Sequence, residues 1–461
     1  MIKELFVAAV ILLTPICSGE QPMWSVDAAE IWQQVFAGEP VQLENFVVTG
    51  HLNLSNLDPP LVRARFSLVN CTVATSDFTG VTFQDMADFS GSTLDAASFS
   101  QAVFADDAGF YDTDFRGPVD FNYTRFEGYN YFAGALFEKE ASFYDAYFQE
   151  FADFGNARFL KGCLFIKARF IDGAGFLDSR FDGSANFMGA SFESFSSFAD
   201  AVFNGTAYFG LAHFVDAIQF RDVAFDGDAI FGLAQMDLAE FNGSTMAGQV
   251  NFKSASIESL LLENVSFGRD AKVNLRSAKF TRMTTPWQEL RGHLVYDGAV
   301  YLALARNYRD LEWFGDADWC YFDYRQENRR QKAWGVEKVI DYLSWLSCGY
   351  GVRPSYPLIW SMTLIALFGL AFFLTGGIRR SGQPAQDEKP NLDRHQEAPI
   401  AVPTRPGIRD CIYFSALIFL STGPLEFLPV GRYRYLIIME GIFGWLFMAL
   451  LFVTLGRVMI R

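Results

Sequence analysis

The sequence is poor in the residues that build metal sites and nucleophilic sites. Its six cysteines are scattered, and no two stand at the C-x-x-C spacing of a zinc site or in the pattern of a disulfide framework. None of the four histidines, His51, His213, His293 and His395, is set with a cysteine, aspartate or serine in a recognisable catalytic arrangement. We therefore predict no enzymatic activity, no metal site and no cofactor.

Basic residues are also in deficit. The chain carries 37 Lys and Arg against 53 Asp and Glu, a formal net charge of −16. Because binding to a nucleic-acid backbone depends on clustered positive charge, this balance excludes nucleic acid as a partner. The acidic side chains are expected either to solvate the surface or to bind cations, although the Gly-rich nonapeptide motif for calcium is absent.

The first 19 residues begin with a lysine and run through about a dozen apolar residues to small ones. This order is typical of a secretory signal peptide, and the apolar run is short for a membrane span. We predict a signal peptide over residues 1–19. An uncleaved anchor and a buried N-terminal strand are the alternatives.

Phenylalanine is in excess, with 49 copies. Between residues 99 and 241 a large apolar side chain recurs at alternating spacings of five and six, and 26 of the 27 positions are Phe, the other being Met236. Alanine stands two residues earlier at 18 of the 27 positions, as Ala141 does before Phe143. These spacings fit neither a helix nor an ordinary strand. A repeat this short predicts a solenoid whose coils bury a common core.

The pattern resembles the pentapeptide-repeat family over residues 46–283. The resemblance implies a right-handed quadrilateral β-helix in which the Phe and the small residue two before it point inward. Since the alternation of five and six departs from the plain five-residue repeat, we expect one extra residue at every second corner. Residues 20–45 are then an N-terminal cap.

Six N-x-[ST] sequons occur, all of them before an apolar run at residues 357–378 that is long enough to cross a membrane. Each is a glycosylation candidate. They lie at Asn53, Asn70, Asn122, Asn204, Asn242 and Asn264. Their number favours a glycosylated domain outside the cell.

Residues 284–355 are predicted to form a helical connector. One stripe of a helix contains Tyr301, Leu304, Tyr308 and Leu311, and a basic cluster follows at residues 329–332. From Val336 to Leu346, apolar residues lie opposite charged ones, which predicts a helix along the membrane surface.

The tripeptide Gly-Tyr-Gly at residues 349–351 is the one found in potassium filters. It precedes the first apolar span, and no pore helix leads into it. We therefore predict a structural turn, which Pro354 ends, with Arg353 at the lipid headgroups.

The C-terminal part contains two apolar runs long enough to cross a bilayer, at residues 357–378 and 436–459. The apolar stretch between them, residues 411–421, is too short to cross but long enough to enter the membrane and return. Two spans around a re-entrant helix resemble the two-helix pore module of potassium channels. The resemblance covers residues 356–461 and implies an α-helical transmembrane pore-loop domain that assembles as a homotetramer.

The position of the pore filter falls on Ser421, Thr422, Gly423, Pro424, Leu425 and Glu426. A potassium filter, T-V-G-Y-G, needs glycines whose left-handed backbone turns carbonyls toward the ion. Only Gly423 matches such a glycine, so potassium selectivity is not carried over. Three hypotheses remain: a less selective pore for monovalent cations with Glu426 as a ring of four carboxylates, a pore that no longer conducts, or a membrane anchor with a channel fold. Glu440 either faces the pore or extends to the interface.

Basic residues flank the re-entrant stretch, which by the positive-inside rule places them in the cytoplasm and the β-helix outside the cell. They are Arg379, Arg380, Lys389, Arg394, Arg405, Arg409, Arg432 and Arg434, against Arg457 and Arg461 at the C-terminus. The opposite orientation puts the β-helix and both termini in the cytoplasm. The sequence thus predicts a multi-pass protein of the cell membrane, in contact with lipid, that passes cations; the alternative is a membrane-anchored structural or adhesion solenoid.

Overall fold

A computed structural model of the chain describes residues 24–381, 405–423 and 426–459. The chain divides into two compact units, one up to residue 317 and one from residue 318 onward. The signal peptide predicted over residues 1–19 lies outside the described residues, as do Pro424 and Leu425 of the expected filter.

The first unit is a β-solenoid of about 12 turns. Its short parallel strands form two sheets, of 21 and 19 strands. Through most of the solenoid a strand pairs with the strand 22 residues later, as Ala97 does with Val119. One coil therefore contains four strands, Ala97–Ser98, Val103–Phe104, Ala108–Gly109 and Asp114–Phe115.

Stacking of the coils turns these four strands into four columns, which we name faces 1 to 4 in that order. Face 1 contains Ala97–Ser98, Val119–Asp120, Ala141–Ser142, Cys163–Leu164, Ala185–Asn186, Ala207–Tyr208, Ala229–Ile230, Val250–Asn251 and Val273–Asn274. Face 2 contains Leu61–Val62, Thr82–Phe83, Val103–Phe104, Arg125–Phe126, Tyr147–Phe148, Arg169–Phe170 and Ser191–Phe192. Face 3 contains Val41–Glu44, Phe66–Val69, Ala87–Asp88, Ala108–Gly109, Asn130–Tyr131, Ala152–Asp153, Ala174–Gly175 and Ser196–Ser197.

Face 4 contains Trp24–Asp27, Thr93–Leu94, Asp114–Phe115, Leu136–Phe137, Arg158–Phe159, Arg180–Phe181, Val202–Phe203, Ala224–Phe225, Thr245–Met246 and Ser266–Phe267. Longer strands run around a corner near both ends of the solenoid. Two join faces 4 and 1, Phe46–Asn53 and Thr72–Asp77, and four join faces 2 and 3, His213–Gln219, Gln235–Glu240, Ser256–Leu261 and Lys279–Thr284.

The core is made of the phenylalanines that the spacing singled out. Rings of one column stack on each other, as Phe121 does on Phe143 at 4.8 Å between centroids with planes 6° apart. Rings of different columns meet edge to face, as Phe110 and Phe121 do at 5.5 Å and 85°. The small residue two before each ring, such as Ala141, is also buried. The prediction that both positions point inward is confirmed.

Two kinds of corner alternate around each coil. After Phe99 the chain makes a four-residue turn, which the Ala102 N–H closes on the Phe99 carbonyl at 2.9 Å, with Gln101 at a φ of 58°. A left-handed third residue is the mark of a type II turn. From Phe104 to Phe110 the chain uses one residue more and has no residue of positive φ. The expected extra residue at every second corner is confirmed.

The N-terminal end of the described chain is helix α1 (Ala28–Ala37), which Asp27 caps by accepting a hydrogen bond from the Ala29 N–H at 2.8 Å. The strands on either side of α1 already pair with the solenoid, since Trp24 aligns with Phe46 and Val41 with Phe66. Residues 24–45 of the expected cap are thus continuous with the sheets.

The last coil is followed by helices α2 (Trp287–Leu290) and α3 (Gly298–Asp310). Three residues of the predicted helical stripe, Tyr301, Leu304 and Tyr308, are buried, whereas the fourth, Leu311, is only half-buried because it caps the C-terminal end of α3. From α3, Asn307 donates through Nδ2 to the Met283 carbonyl at 2.8 Å and accepts from the Met283 N–H through Oδ1 at 3.0 Å. This amide therefore takes the hydrogen-bonding place of a further strand.

The second unit is mostly helical. After α4 (Phe314–Gln331) come α5 (Val336–Cys348), a 3-10 turn at Gly349–Gly351, α6 (Ser355–Thr375), strand Ile378–Arg380, α7 (Ile408–Phe419), strand Phe427–Pro429, a 3-10 turn at Gly431–Tyr433 and α8 (Arg434–Met459). Helices α6 and α8 are long and apolar enough to span a membrane. They lie within a few residues of the predicted spans, and α7 corresponds to the predicted short helix.

One inward-pointing position of the solenoid carries a side-chain amide that lacks hydrogen-bond partners among the described residues. Asn130 is fully buried, and neither atom of its amide group has a hydrogen-bond partner among the described residues. The residues above and below it in face 3 are Ala108 and Ala152. By contrast, the buried Thr124 donates from Oγ1 to the Phe99 carbonyl at 2.7 Å.

Replacement of Asn130 by alanine should therefore stabilise the protein. An unsatisfied buried polar group costs about 1–3 kcal/mol, so we expect Asn130→Ala to raise the melting temperature of the full chain by a corresponding amount. Circular dichroism during heating measures this. Asn186→Ala is the control, because the Oδ1 of half-buried Asn186 accepts from the Met188 N–H at 3.0 Å and its loss should not stabilise. A lower melting temperature for Asn130→Ala would contradict the assignment.

Candidate functional site in the helical unit

Helix α7 lies between the two span-length helices at very close range. A Cβ atom added to Gly369 of α6 would be 2.9 Å from the Cα of Ile412. A Cβ added to Gly444 of α8 would overlap the backbone carbonyl of Phe419. Small residues at such positions let helix backbones approach each other. Both contacts fix α7 against its neighbours.

The direction of α7 follows from its contacts with α6. Ile412 lies beside Gly369, and the Oγ of Ser415 is 2.9 Å from the carbonyl oxygen of Ile365. As α7 advances, its contacts move back along α6, so the two helices are antiparallel. At 1.5 Å per residue α7 is about 18 Å long, against about 30 Å for the hydrocarbon core. Starting near the C-terminal end of α6, α7 stops part of the way along it.

The chain then returns to the end from which α7 started. Strand Phe427–Pro429 pairs antiparallel with Ile378–Arg380, and the Ser381 N–H donates to the Glu426 carbonyl at 2.8 Å. Residues from α6, from the start of α7 and from both strands share one apolar cluster: Phe372, Ile378, Cys411, Phe414 and Phe427. The beginning of α7 and the strand after it are therefore at the same end of α6.

The expected filter residues that the structure describes come directly after this helix. Ser421, Thr422 and Gly423 are exposed in the single chain, and Ser421 and Gly423 have φ angles of 58° and 61°. The N–H and Oγ1 of Thr422 donate to the Leu417 carbonyl at 3.0 and 3.1 Å. Glu426 is exposed at the start of the returning strand. That these residues line a pore stays a prediction.

Glu440 behaves differently from both sequence alternatives. Its side chain is fully buried in the contact of α8 with α7, and its Oε1 accepts a hydrogen bond from Ser415. Its Oε2 has no partner among the described residues. Since Ser415 also lies beside the Ile365 carbonyl, one hydroxyl joins α7 to both span-length helices. A lone acid within an apolar span was the available signal, but it did not identify Ser415 as the partner.

Helix α5 exposes its apolar side and buries Asp341 on the opposite side, where Glu337 stays exposed. Ile340 and Leu343 are 57% and 60% exposed, whereas Asp341 is 3% exposed. Arg325 and Lys332 bond to Asp341 at 2.5 and 2.8 Å. Burial alone would raise the pKa of Asp341, but the hydrogen bonds from these two cations outweigh it and hold the pKa below its usual value. This polarity is the reverse of that of a helix on a soluble domain and is typical of a helix at a membrane surface.

The Gly-Tyr-Gly tripeptide forms a 3-10 turn between α5 and α6. Tyr350 has a φ of 58° and packs in an apolar cluster with Phe322 and Val352. The tripeptide is a structural turn, as predicted.

The sequons differ in their accessibility. Asn70 and Asn264 are exposed at left-handed corner positions. The other four are half-buried; Asn122, for example, accepts at Oδ1 from the Tyr144 N–H at 3.0 Å, and Asn204 donates to Asp182 at 2.5 Å. Glycosylation of any of them stays a prediction.

One side of the solenoid, face 3 with its two flanking corners, is acidic and aromatic. Residues 105–112, 127–134, 149–156, 171–178 and 193–200 contain no lysine or arginine. The rings of Tyr111 and Tyr131 stack at 5.4 Å. Burial, and next the carboxylate of Asp107, raise the pKa of Tyr131. Tyr129 is exposed beside them. Tyrosine rings therefore lie among carboxylates on this surface.

Comparison with known proteins supports the solenoid. Residues 68–114 and 99–147 match the family described as pentapeptide repeats (9 copies). No curated protein and no solved structure matches the chain. Solenoids of this kind are typically structural or protein-interaction domains rather than catalytic ones.

Close packing of α7 on α8 can be tested at Gly444. A valine there would meet the Phe419 carbonyl, and such overpacking costs about 1–3 kcal/mol. We expect Gly444→Val to lower the melting temperature of the full chain in detergent. Gly441→Val is the matched control on the same helix, because no atom of residues 24–381, 405–423 or 426–459 lies within 4 Å of a Cβ added to Gly441, its own helix backbone and chain neighbours aside. Equal melting temperatures for the two variants would show that α7 does not pack at this position.

Proposed function

We propose that this protein is a multi-pass protein of the cell membrane, with a right-handed β-helix outside the cell and a helical unit that forms a cation-passing pore as a homotetramer. The observation that carries the proposal is the course of α7. It runs part of the way along two span-length helices, and the chain then returns to the end where α7 began.

Membrane placement is supported by the apolar surfaces of the helical unit. Only 17% of the most apolar window of either span-length helix is buried within the chain. Helix α5 adds an exposed apolar face that includes Ile340 and Leu343. Contiguous apolar surface of this extent marks a membrane or protein contact. We assign it to lipid.

A pore accounts for the exposed segment at the C-terminal end of α7. Non-helical backbone at membrane depth is tolerated only where it is buried in protein or lines a water-filled cavity. In the single chain Ser421, Thr422 and Gly423 are exposed, so four copies around an axis would bring them together. Glu426 would then form a ring of carboxylates that attracts cations. Without the sequence T-V-G-Y-G, we expect little discrimination among monovalent cations.

The second candidate is a structural or adhesion solenoid whose helical end only anchors it. The exposed tyrosines of face 3, such as Tyr111 and Tyr129, favour this candidate, because aromatic side chains are enriched at protein interfaces. The two candidates differ in whether the membrane part conducts.

The membrane orientation depends on the sequons and on the distribution of basic residues. The six sequons before α6 and the basic residues around α7 support a β-helix outside the cell. Arg329, Arg330, Lys332 and Arg353 lie near the opposite end of α6 and favour the reverse orientation. We propose the outside placement and a cleaved signal peptide.

Conduction is tested in planar bilayers with the purified full chain. We expect single-channel currents carried by both Na⁺ and K⁺. Glu426→Gln should lower cation conductance about two- to tenfold at about 0.01 M salt, because the carboxylate ring concentrates cations. The difference should shrink at 1 M, where the Debye length is about 3 Å. Glu150→Gln, the same change on the solenoid, should leave the current unaltered. Electrical silence across ions and voltages would favour the anchored solenoid.

Orientation is tested by adding protease to intact cells that express the protein. We expect cleavage of the β-helix without permeabilisation, because this placement exposes it to the medium. A tag placed in residues 382–404 should become accessible only after permeabilisation. Protection of the β-helix in intact cells would reverse the assignment.

A further inference from the structure

Arg329 of α4 is a buried cation without a carboxylate partner. Its residue is 9% exposed, and no described acid lies within ion-pair distance of its guanidinium. Aromatic rings surround it instead: Cζ is 4.4 Å from the ring centroid of Tyr342, 4.8 Å from that of Trp345 and 5.9 Å from that of Tyr350. The faces of aromatic rings attract a cation, but they do not provide hydrogen-bond acceptors for all of its N–H groups.

Asp341, a buried acid beside this cluster, is already shared. Asp341 bonds to Arg325 and to Lys332, and the exposed Glu337 reaches only Lys332, at 3.7 Å. Two of the cations therefore use the carboxylate of Asp341, and Arg329 is left without an ion pair to any described acid. A site of this kind favours an added anion.

Three donors in this cluster are buried and have no acceptor within the part of the chain that the structure describes: Nη1 of Arg329, Nε1 of Trp345 and the hydroxyl of Tyr350. Buried polar groups rarely lack a hydrogen-bond partner, and an unpaired one often marks the place of a bound ion or water. Arginine and tryptophan nitrogens can only donate, so what the cluster lacks is an acceptor. An anion with several oxygens fits both the charge and the donors, and the guanidinium suits phosphate because it can bond to two oxygens at once.

The position of the cluster indicates which kind of phosphate compound could reach it. Trp345 lies near the end of α5 and Tyr350 in the 3-10 turn that leads to α6, and α5 turns its apolar side outward. In the proposed membrane placement, on which this inference rests, that level is the headgroup region.

We propose that Arg329, Trp345 and Tyr350, with Arg325 and Lys332 close by, bind the phosphate of an anionic phospholipid. Tyr342 is 39% exposed and lies over the guanidinium, so its ring must shift to admit a phosphate oxygen. Bound there, the lipid ties α4 and α5 to the bilayer surface immediately before the first span. Free phosphate offers the same chemistry and is separated by the test.

The test uses the full chain in detergent and three probes: dioctanoyl phosphatidylglycerol, dioctanoyl phosphatidylcholine and inorganic phosphate. Calorimetric titration should give saturable binding of phosphatidylglycerol, at least tenfold tighter than of the other two. Arg329→Gln should weaken it about 10- to 100-fold, as expected for loss of a charged hydrogen-bonding group. Arg330→Gln is the matched control, since Arg330 is exposed and paired with Glu327, and it should bind as the unaltered chain does.

A second variant distinguishes loss of lipid binding from loss of folding. Trp345→Phe keeps an aromatic ring and removes the N–H, and it should weaken phosphatidylglycerol binding severalfold with the elution volume in gel filtration unchanged. Unaltered affinity in Arg329→Gln, or equal affinity for inorganic phosphate, would overturn the lipid site. The titration does not depend on current, so a chain that binds phosphatidylglycerol and carries no current would overturn the pore and leave the lipid site standing.

Discussion

The repeat distance of parallel strands governs the architecture of the first unit. Strands lie about 4.8 Å apart, so side chains of one column must fit within that height. A phenyl ring stacked flat on the next one fits, and Phe137 and Phe159 do so with centroids 4.5 Å apart and parallel planes. Four such columns leave room only for small side chains between them, which explains why alanine precedes so many of the rings. Corner conformation depends on the same repeat, because a left-handed residue must return every 11 residues if the rings are to stay aligned.

The helical unit depends on other means. Its central helix is held by backbone contacts at two glycines and by one polar link, formed by Ser415 with Glu440 and the carbonyl of Ile365. Within apolar surroundings such a link has few competing partners, so it adds to the glycine contacts in fixing the position of α7. The solenoid repeats one kind of contact many times, whereas in the helical unit a few contacts that occur once hold α7 in place.

This difference explains how far the sequence alone could lead. The Phe columns and the alternating corners were predictable because they repeat along the sequence. The two span-length helices and the short helix between them were predictable from the lengths of their apolar runs. Pairs that occur once carry no such signal: Ser415 and Glu440 are on different helices, and nothing in either segment points to the other. The same holds for Arg329 with the rings of α5, and for Asn307 with Met283. Asn130 stands at a position where the repeat predicts a small apolar residue, and the sequence alone did not indicate what its amide would bond to.

The amide of Asn307 has a consequence for the behaviour of the molecule in solution. A stack of parallel strands that ended bare would offer its last row of N–H and C=O groups to the first strand of another molecule, and rods could then join end to end into fibres. By occupying both groups of Met283, one side chain removes two anchoring points for such growth. The chain thus carries its own obstacle to end-to-end growth at this edge.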